Sequence, residues 1–345
     1  MRKVLSLLLV LAMVFSLAAC AEKTDVKAQE DESKTNETIN NETNEVAYYP
    51  ITIKTYNHAG EEIEVTFDKE PTKVVCCYQN NIEIMLRLGL AEKIVCAFGL
   101  DGPVADDLKA DFDKINYLEQ RPAKEEVVAM SPDCILGWYS IFSEKRLGEV
   151  DYWNNSECGT YMSLNSGCRR NQEGYVQTVD DEIQDILTIG KIFNVEEKAE
   201  ELVGNIRTEI AKIEEYTKGH KKVGIAILED EKDSFRVYGA NVLGGDVAVK
   251  AGAELAVGAD DSKNISAEEL IEKDPEAIFM VYFFGYLEPE DAVKTITENP
   301  KFASLQAVEN NKVFALNLTN VYCSGYRSID GVLTFAKNIY PDLYK

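Results

Sequence analysis

Apolar residues recur along this chain at two spacings, and the longest stretch of the helical kind lies near its middle. Val195, Ala199, Leu202, Val203, Ile206, Ile210 and Ile213 fall three and four residues apart, the spacing of one buried stripe. Asn194, with Glu197 three places on, reads as an N-cap with a reaching carboxylate, and Gly219 as a C-terminal stop. The pattern predicts one helix over residues 194–219, roughly 35 Å long at about 1.5 Å per residue. Before it, alternation on either side of His58, Ala59 and Gly60 predicts a hairpin of residues 51–55 and 62–67. Short apolar runs predict strands at 74–77, 94–98, 134–138 and 160–164. Asn80 with Glu83 opens a helix that Gly89 ends, and a further helix covers 179–193. After the rod, strands are predicted at 223–228, 277–282 and 313–318, with a closing helix at about 328–340. Strand and helix alternate in both halves, so each half is α/β with a largely parallel sheet covered on both faces.

The halves share a motif. Residues 125–135 read EEVVAMSPDCI and residues 268–278 read EELIEKDPEAI. Each is a short helix opened by two glutamates, a helix-stopping proline (Pro132, Pro275), an acid, then an apolar strand. Several identical or near-identical positions in register, one copy per half, indicate a pseudo-duplicated protein of two lobes with a cleft between them.

The amino-terminal segment is of another kind. Arg2 and Lys3 precede an apolar run too short to span a membrane as a stable helix, which ends in Leu17, Ala18, Ala19 and Cys20. This resembles a bacterial lipoprotein signal with its lipobox, with cleavage before Cys20 leaving that cysteine as the lipid-bearing N-terminus. Residues 21–46 contain no aromatic residue and are mostly Glu, Asp, Asn, Thr and Lys, the composition of a disordered tether. Such a tether holds its domain roughly 28 Å from the anchor. The expected layout is a signal peptide at 1–19, a lipidated tether at 20–46, a first lobe at 47–193, the backbone helix at 194–219 and a second lobe at 220–345.

Charge narrows the partners. The chain carries a net charge of −24, and residues 1–19 hold two basic and no acidic residues, so the processed chain is more negative still. That balance argues against nucleic acid and against electrostatic adhesion to anionic lipid. Sequence signatures of a serine hydrolase elbow, a zinc protease helix, a phosphate-binding loop or a cysteine–histidine pair are absent, so no catalytic residue is assigned.

The lipobox, the acidic tether, the hairpin, the stretch PTKVVCCYQNNIEIMLRLGLAEKIV, the repeated unit, TVDDEIQDILTIGKIFNVEEKAEEL and the ending GYRSIDGVLTFAKNIYPDLY together resemble the helical-backbone solute-binding proteins. These are the receptors of ABC importers for ferric siderophores, haem and cobalamin. The resemblance covers essentially everything after Val46. It implies two sandwich-like α/β lobes joined by one long backbone helix, a ligand cleft between the lobes, and little hinge motion. It further implies a monomeric, lipid-anchored protein on the extracytoplasmic face that is no enzyme and delivers its ligand to a permease and its ATPase. In such receptors one glutamate on each lobe pairs with permease arginines; the matching positions are Glu125 and Glu268, with Glu126 one residue away from the former.

Ligands of open α/β sheets lie beyond the carboxyl ends of the strands. Those ends offer Tyr78, Gln79 and Asn80, then Trp138 and Tyr139, then Asn165, Arg169 and Arg170. The second lobe offers Tyr238 and Asn241, Tyr282 with Phe283 and Tyr286, and Tyr322 with Tyr326 and Arg327. Many aromatic rings beside a few arginines suit a large, chelated, partly anionic ligand. Arg327 stands out within GYRSIDG as a guanidinium able to grip a carboxylate or catecholate. Only His58 and His220 exist, His58 in the hairpin turn and His220 after the rod, so His-ligated haem or a bare transition metal is disfavoured and no metal ligand is assigned. The expected ligand is an iron(III) chelate, with corrinoid and then haem as alternatives, and no cofactor beyond it; a surface sensory receptor and a carboxylate hydrolase are the alternatives of other classes. Seven cysteines remain besides Cys20; Cys158 and Cys168 flank a strand and could pair in an oxidising environment, whereas Cys76, Cys77, Cys96 and Cys134 read as buried thiols.

Overall fold

Alternation in the hairpin appears directly as burial. In the computed structural model, which describes residues 47–260 and 263–345, β1 (Ile51–Tyr56) buries Ile51, Ile53 and Thr55 and pairs antiparallel with β2 (Glu62–Phe67). The lipoprotein signal, Cys20 and the tether lie outside the described residues. The hydroxyl of Thr55 accepts a 3.0 Å hydrogen bond from the Met162 amide, which ties the hairpin to the first lobe. Gly159 marks the contact, because a Cβ there would lie 2.4 Å from the Phe67 ring.

The first lobe holds β3 (Val74–Cys77), β4 (Ile94–Phe98), β5 (Tyr117–Leu118), β6 (Cys134–Gly137) and β7 (Gly159–Met162), all parallel, in the order β5-β4-β3-β6-β7. β3 and β6 are buried at every position, which is why they read as unbroken apolar runs. The second lobe holds β8 (Gly224–Asp230), β9 (Phe235–Val237), β10 (Glu254–Leu255), β11 (Asn264–Ile265), β12 (Ala277–Tyr282) and β13 (Val313–Asn317), in the order β11-β9-β8-β12-β13 with β10 on β8. Here β9 and β11 run antiparallel to their neighbours, so this sheet is mixed.

The backbone helix spans Glu196–Thr217, about 33 Å at 1.5 Å per residue, and buries Ala199, Val203, Ile206, Ile210 and Ile213. Its start differs from the expectation. Asn194 has φ 53°, and the Val195 amide bonds to the Gly190 carbonyl, so Asn194 is the left-handed residue that ends the helix Val179–Ile192. The N-cap is Val195, with no side-chain bond. Asn serves both roles because its short side chain tolerates the left-handed region and also caps helices. Gly219 ends the rod as expected, at φ 85°. The two helices touch at Gly190, where a Cβ would lie 2.4 Å from that of Ala199.

One apolar cluster runs from the hairpin (Ile53, Phe67) through Ile84 and Leu88, across Ile186, Ile189, Val203 and Ile206, to Val247, Phe279 and Phe335. The lobes therefore share a core, and residues 47–345 form one compact unit. Two smaller clusters cover the outer faces of the sheets. Among the described residues no helix is long and apolar enough to cross a membrane.

Buried polar groups also tie the lobes. Arg327 donates from Nε and Nη2 to both carboxylate oxygens of Glu83 at 2.7 and 2.6 Å, from Nη2 to the Pro103 carbonyl at 2.6 Å, and from Nη1 to Thr319 at 3.0 Å. Glu182 accepts from the Ser324 and Gly325 amides at 3.1 and 2.5 Å, and Asp246 accepts from the Val179 amide at 2.7 Å.

All seven described cysteines are buried free thiols, so Cys158 and Cys168 do not pair. Cys158 precedes β7 and Cys168 lies beyond its other end, where its thiol donates to the Leu164 carbonyl at 3.3 Å. A strand of that length separates them by roughly 13 Å, well outside disulfide reach.

Candidate functional site

The chain leaves β3 toward β4 on one side and meets β6 on the other, so a crevice opens at the carboxyl ends of β3 and β6. Tyr78 stands at that point with φ 72° and ψ 158°, a strained conformation for a non-glycine residue that costs on the order of 1–3 kcal/mol. Its ring stacks on Trp138 with centroids 4.2 Å apart and planes 20° apart. From the second lobe Tyr322 meets Trp138 edge-on at 5.5 Å. The indole Nε1 donates to Asn80 Oδ1 at 2.8 Å, which fixes the plane of the ring. Tyr139, next in sequence, lies under the Arg170 guanidinium at 4.1 Å and stacks on His58 at 5.7 Å. His58 Nδ1 is 2.9 Å from the Tyr139 carbonyl, so the hairpin turn reaches this site although the sequence placed His58 away from it.

The facing wall comes from the second lobe. Arg236 lies over Tyr238 at 4.9 Å and Tyr322 at 5.7 Å, and 3.7 Å from Glu229, which also accepts the Tyr238 hydroxyl at 2.5 Å. A cavity of about 480 Å³ lies between the lobes, lined by Asp101, Gly102 and Pro103 on one side and by residues 282–289 and Asn317 on the other. The Phe284 amide donates across it to the Asp101 carbonyl at 3.1 Å. Burial raises the Asp101 carboxyl to about 6. A groove of about 700 Å³ beside the hairpin is remote from these strand ends. Among the described residues no group of His, Cys, Asp and Glu could hold a metal ion.

Of the residues expected to face a ligand, Tyr78, Trp138 and Tyr139 come together here, and Tyr282 lines the adjoining cavity. Arg327 is corrected: it is buried, and each of its three nitrogens is committed to Glu83, Pro103 or Thr319. Gln79 and Asn80 are buried as well. Gln79 donates to Glu83 at 2.7 Å and accepts from the Asp101 and Gly102 amides at 3.2 Å, while Asn80 holds Trp138 and Ser163. They position the site from beneath. Tyr238 is interior, Arg169 is paired with Asp181 at 2.7 Å, and Tyr326 lies under Arg87 at 4.3 Å, outside the Tyr78–Trp138 group. Three residues were missed: Asp101, Arg146 and Arg236. Arg146 is exposed, makes no side-chain hydrogen bond among the described residues, and its charge reaches the Tyr78 phenol. Nothing in the local pattern around these three distinguishes them from surface charge.

The repeated unit is the same object in both lobes. The helices Lys124–Met130 and Ala267–Lys273 end in left-handed Ser131 and Asp274, and the second glutamate of each, Glu126 and Glu269, accepts from the N-cap amide at 2.6 and 2.7 Å. That leaves Glu125 and Glu268 exposed, without a hydrogen bond or ion pair among the described residues, which separates Glu125 from its neighbour.

A sequence model of the family described as periplasmic binding protein matches residues 74–318. The chain is 25% identical to an uncharacterized ABC transporter substrate-binding lipoprotein, YvrC, of Bacillus subtilis, covering 98% of this chain and 96% of that one. It is 22% identical to the petrobactin-binding protein YclQ of the same organism, over 80% and 83% of the two chains. The crystal structure of a periplasmic binding protein from Veillonella parvula superposes with a TM-score of 0.78 at 28% identity, covering 86% of this chain and 93% of that one.

Proposed function

The chain belongs to the periplasmic binding protein family, the substrate-binding proteins of ABC transporters, and from that premise we propose that it captures an iron(III) chelate of the siderophore type and hands it to a membrane permease. The observation that carries this reading is the preformed array of Tyr78, Trp138 and Tyr322 between the lobes, with Arg146, Arg170 and Arg236 around it. Flat aromatic faces suit the organic part of a chelate, and guanidinium groups suit its anionic oxygens. The petrobactin-binding relative supports the choice of iron chelate over corrinoid or haem. Cys20 anchors the protein to the outer face of the cell membrane in this reading, in keeping with the lipoprotein YvrC. Glu125 and Glu268, one on each lobe and both without a partner among the described residues, dock it on permease arginines; two ion pairs far apart on a rigid body set orientation as well as attraction.

The test is a thermal-shift and fluorescence screen of the purified protein with ferric hydroxamates, ferric catecholates, haemin and cobalamin. A ferric chelate that raises the melting temperature and quenches tryptophan emission supports the reading. A response to cobalamin or haemin alone refutes it.

A further inference from the structure

Among the described residues the cleft holds a carboxylate without a partner, that of Asp101. Asp101 follows β4, and its backbone is held from both sides: its amide donates to Gln79 Oε1 at 3.2 Å, and its carbonyl accepts from the Phe284 amide of the other lobe at 3.1 Å. The side chain is therefore placed, not loose. It is partly buried, yet its carboxylate makes no hydrogen bond and no ion pair among the described residues. Burial is what raises its carboxyl to about 6. Of the arginines of the site, Arg236 is directed to Glu229 and two tyrosine rings and Arg170 to the Gly167 and His58 carbonyls, while Arg146 is exposed and forms no ion pair with Asp101 among the described residues.

The cavity beside this carboxylate carries four aromatic residues, Tyr282, Phe283, Phe284 and Tyr286, and two further acids, Glu288 and Asp291. The charge of Asp101 adds to the burial that raises the Tyr78 and Tyr322 phenols. A half-desolvated anion without a partner is unfavourable until a cation or donor meets it. Ring faces carry negative charge density and attract cations in the same place.

We propose that Asp101 is a specificity residue that takes a protonated amine of the bound ligand, so that the substrate is a chelate carrying an ammonium group besides its anionic metal-binding part. The proposal rests on the reading of the protein as a chelate receptor and narrows it. The anionic part faces the arginines, and the amine faces Asp101 between Tyr78 and Tyr322. The acidic chain steers a cationic group toward the cleft as well.

The experiment uses the purified chain, read by tryptophan quenching at Trp138, with Asp101→Asn as the comparison. Two probe sets are titrated. One is a series of ferric chelates, each with its amine free and N-acetylated, ferric desferrioxamine B among them. The other is n-butylammonium against n-butanol, which contains no chelate. The expected results are that acetylation weakens binding of a recognised chelate about tenfold in the wild type, that Asp101→Asn abolishes the difference, and that butylammonium quenches the wild type beyond butanol but not the variant. A chelate bound equally well in both forms by the wild type overturns the inference and leaves the chelate-receptor reading standing. Absence of any chelate binding, with butylammonium still selective for the wild type, overturns that reading and supports the Asp101 site. Equal responses to butylammonium and butanol in the wild type overturn the inference. A melting temperature for Asp101→Asn equal to that of the wild type shows that the comparison is between folded proteins.

Discussion

Replacing Arg327 by Met separates the two roles open to this residue. The ion pair with Glu83 is buried, with side-chain exposures of 10% and 1%, and removing one partner of such a pair costs about 3–5 kcal/mol, because the other charge stays buried and unpaired. Glu83 would keep two donors, Gln79 Nε2 at 2.7 Å and the Ala105 amide at 3.1 Å, which places the expected loss at the lower end, about 3 kcal/mol. For a chain of this size that corresponds to a fall in Tm of roughly 6–12 °C. Replacing Glu83 by Leu in the same protein removes the orphaned charge and restores much of the loss, since a buried pair exchanged for packed apolar groups is often neutral. Urea unfolding gives the free energies, and tryptophan quenching by a recognised ferric chelate gives the affinity of the folded fraction. The structure requires a large stability loss with affinity changed little. A protein of unchanged stability whose affinity falls tenfold or more would show Arg327 gripping ligand, and the interlobe account would be refuted.

Other consequences can be measured separately. Because the lobes share one core across the rod, X-ray scattering curves with and without ligand should nearly superimpose, and a large compaction would contradict this. Burial raises the thiols of Cys76, Cys77, Cys134, Cys158, Cys168 and Cys323, so a thiol reagent should label the native protein slowly and the urea-unfolded protein fully, while reductant leaves Tm unchanged. Burial raises Glu182 to about 7 and, with the charge of Glu182, raises Asp185; the folded state then holds more protons, so their contribution to stability is complete below about pH 4.3 and lost as pH rises through about 7. Tm should fall from about pH 5.5 to about pH 8, and fall less in Glu182→Gln; a wild-type Tm that rises over that range sinks the argument. Exchanging Glu125 and Glu268 together for Arg should lower stability by no more than about 1 kcal/mol while uptake of the cognate chelate into cells falls steeply; normal transport would show that the two are only helix-start charges.

The rod was legible because a stripe of seven apolar residues at helical spacing admits one interpretation, and the buried strands because both faces of β3, β6 and β12 are covered. β9, β10 and β11 were not, since two or three residues show no period. The repeat was legible as a pattern but not as a mechanism. In the structure, the acid after each proline anchors the start of the neighbouring strand: Asp133 accepts from the Thr72 and Lys73 amides, and Glu276 accepts from the Gly224 amide at 3.3 Å. At the site the sequence could say which residue types crowd the strand ends but not which way each faces. Asn80 and Arg327 have partners far away in sequence, Trp138 lying 58 residues from Asn80 and Glu83 244 residues from Arg327, and no local spacing encodes such a meeting.

For lobes that share one core, a cleft that is complementary before the ligand arrives spares the cost of reshaping it. Two features of the cleft are unfavourable on their own and are held there by the fold: the left-handed backbone of Tyr78 and the carboxylate of Asp101, which has no partner among the described residues. Both rest on the same buried layer. Asn80 fixes Trp138 against Tyr78, and Gln79 holds the Asp101 and Gly102 amides while bonding Glu83, which in turn binds Arg327. The clamp that joins the lobes is thus continuous with the groups that aim the ring stack and the carboxylate. Stability of the interface and shape of the cleft are in this way one property, and Arg327, which reads in sequence as a ligand contact, is bonded within the buried layer that supports the ring stack.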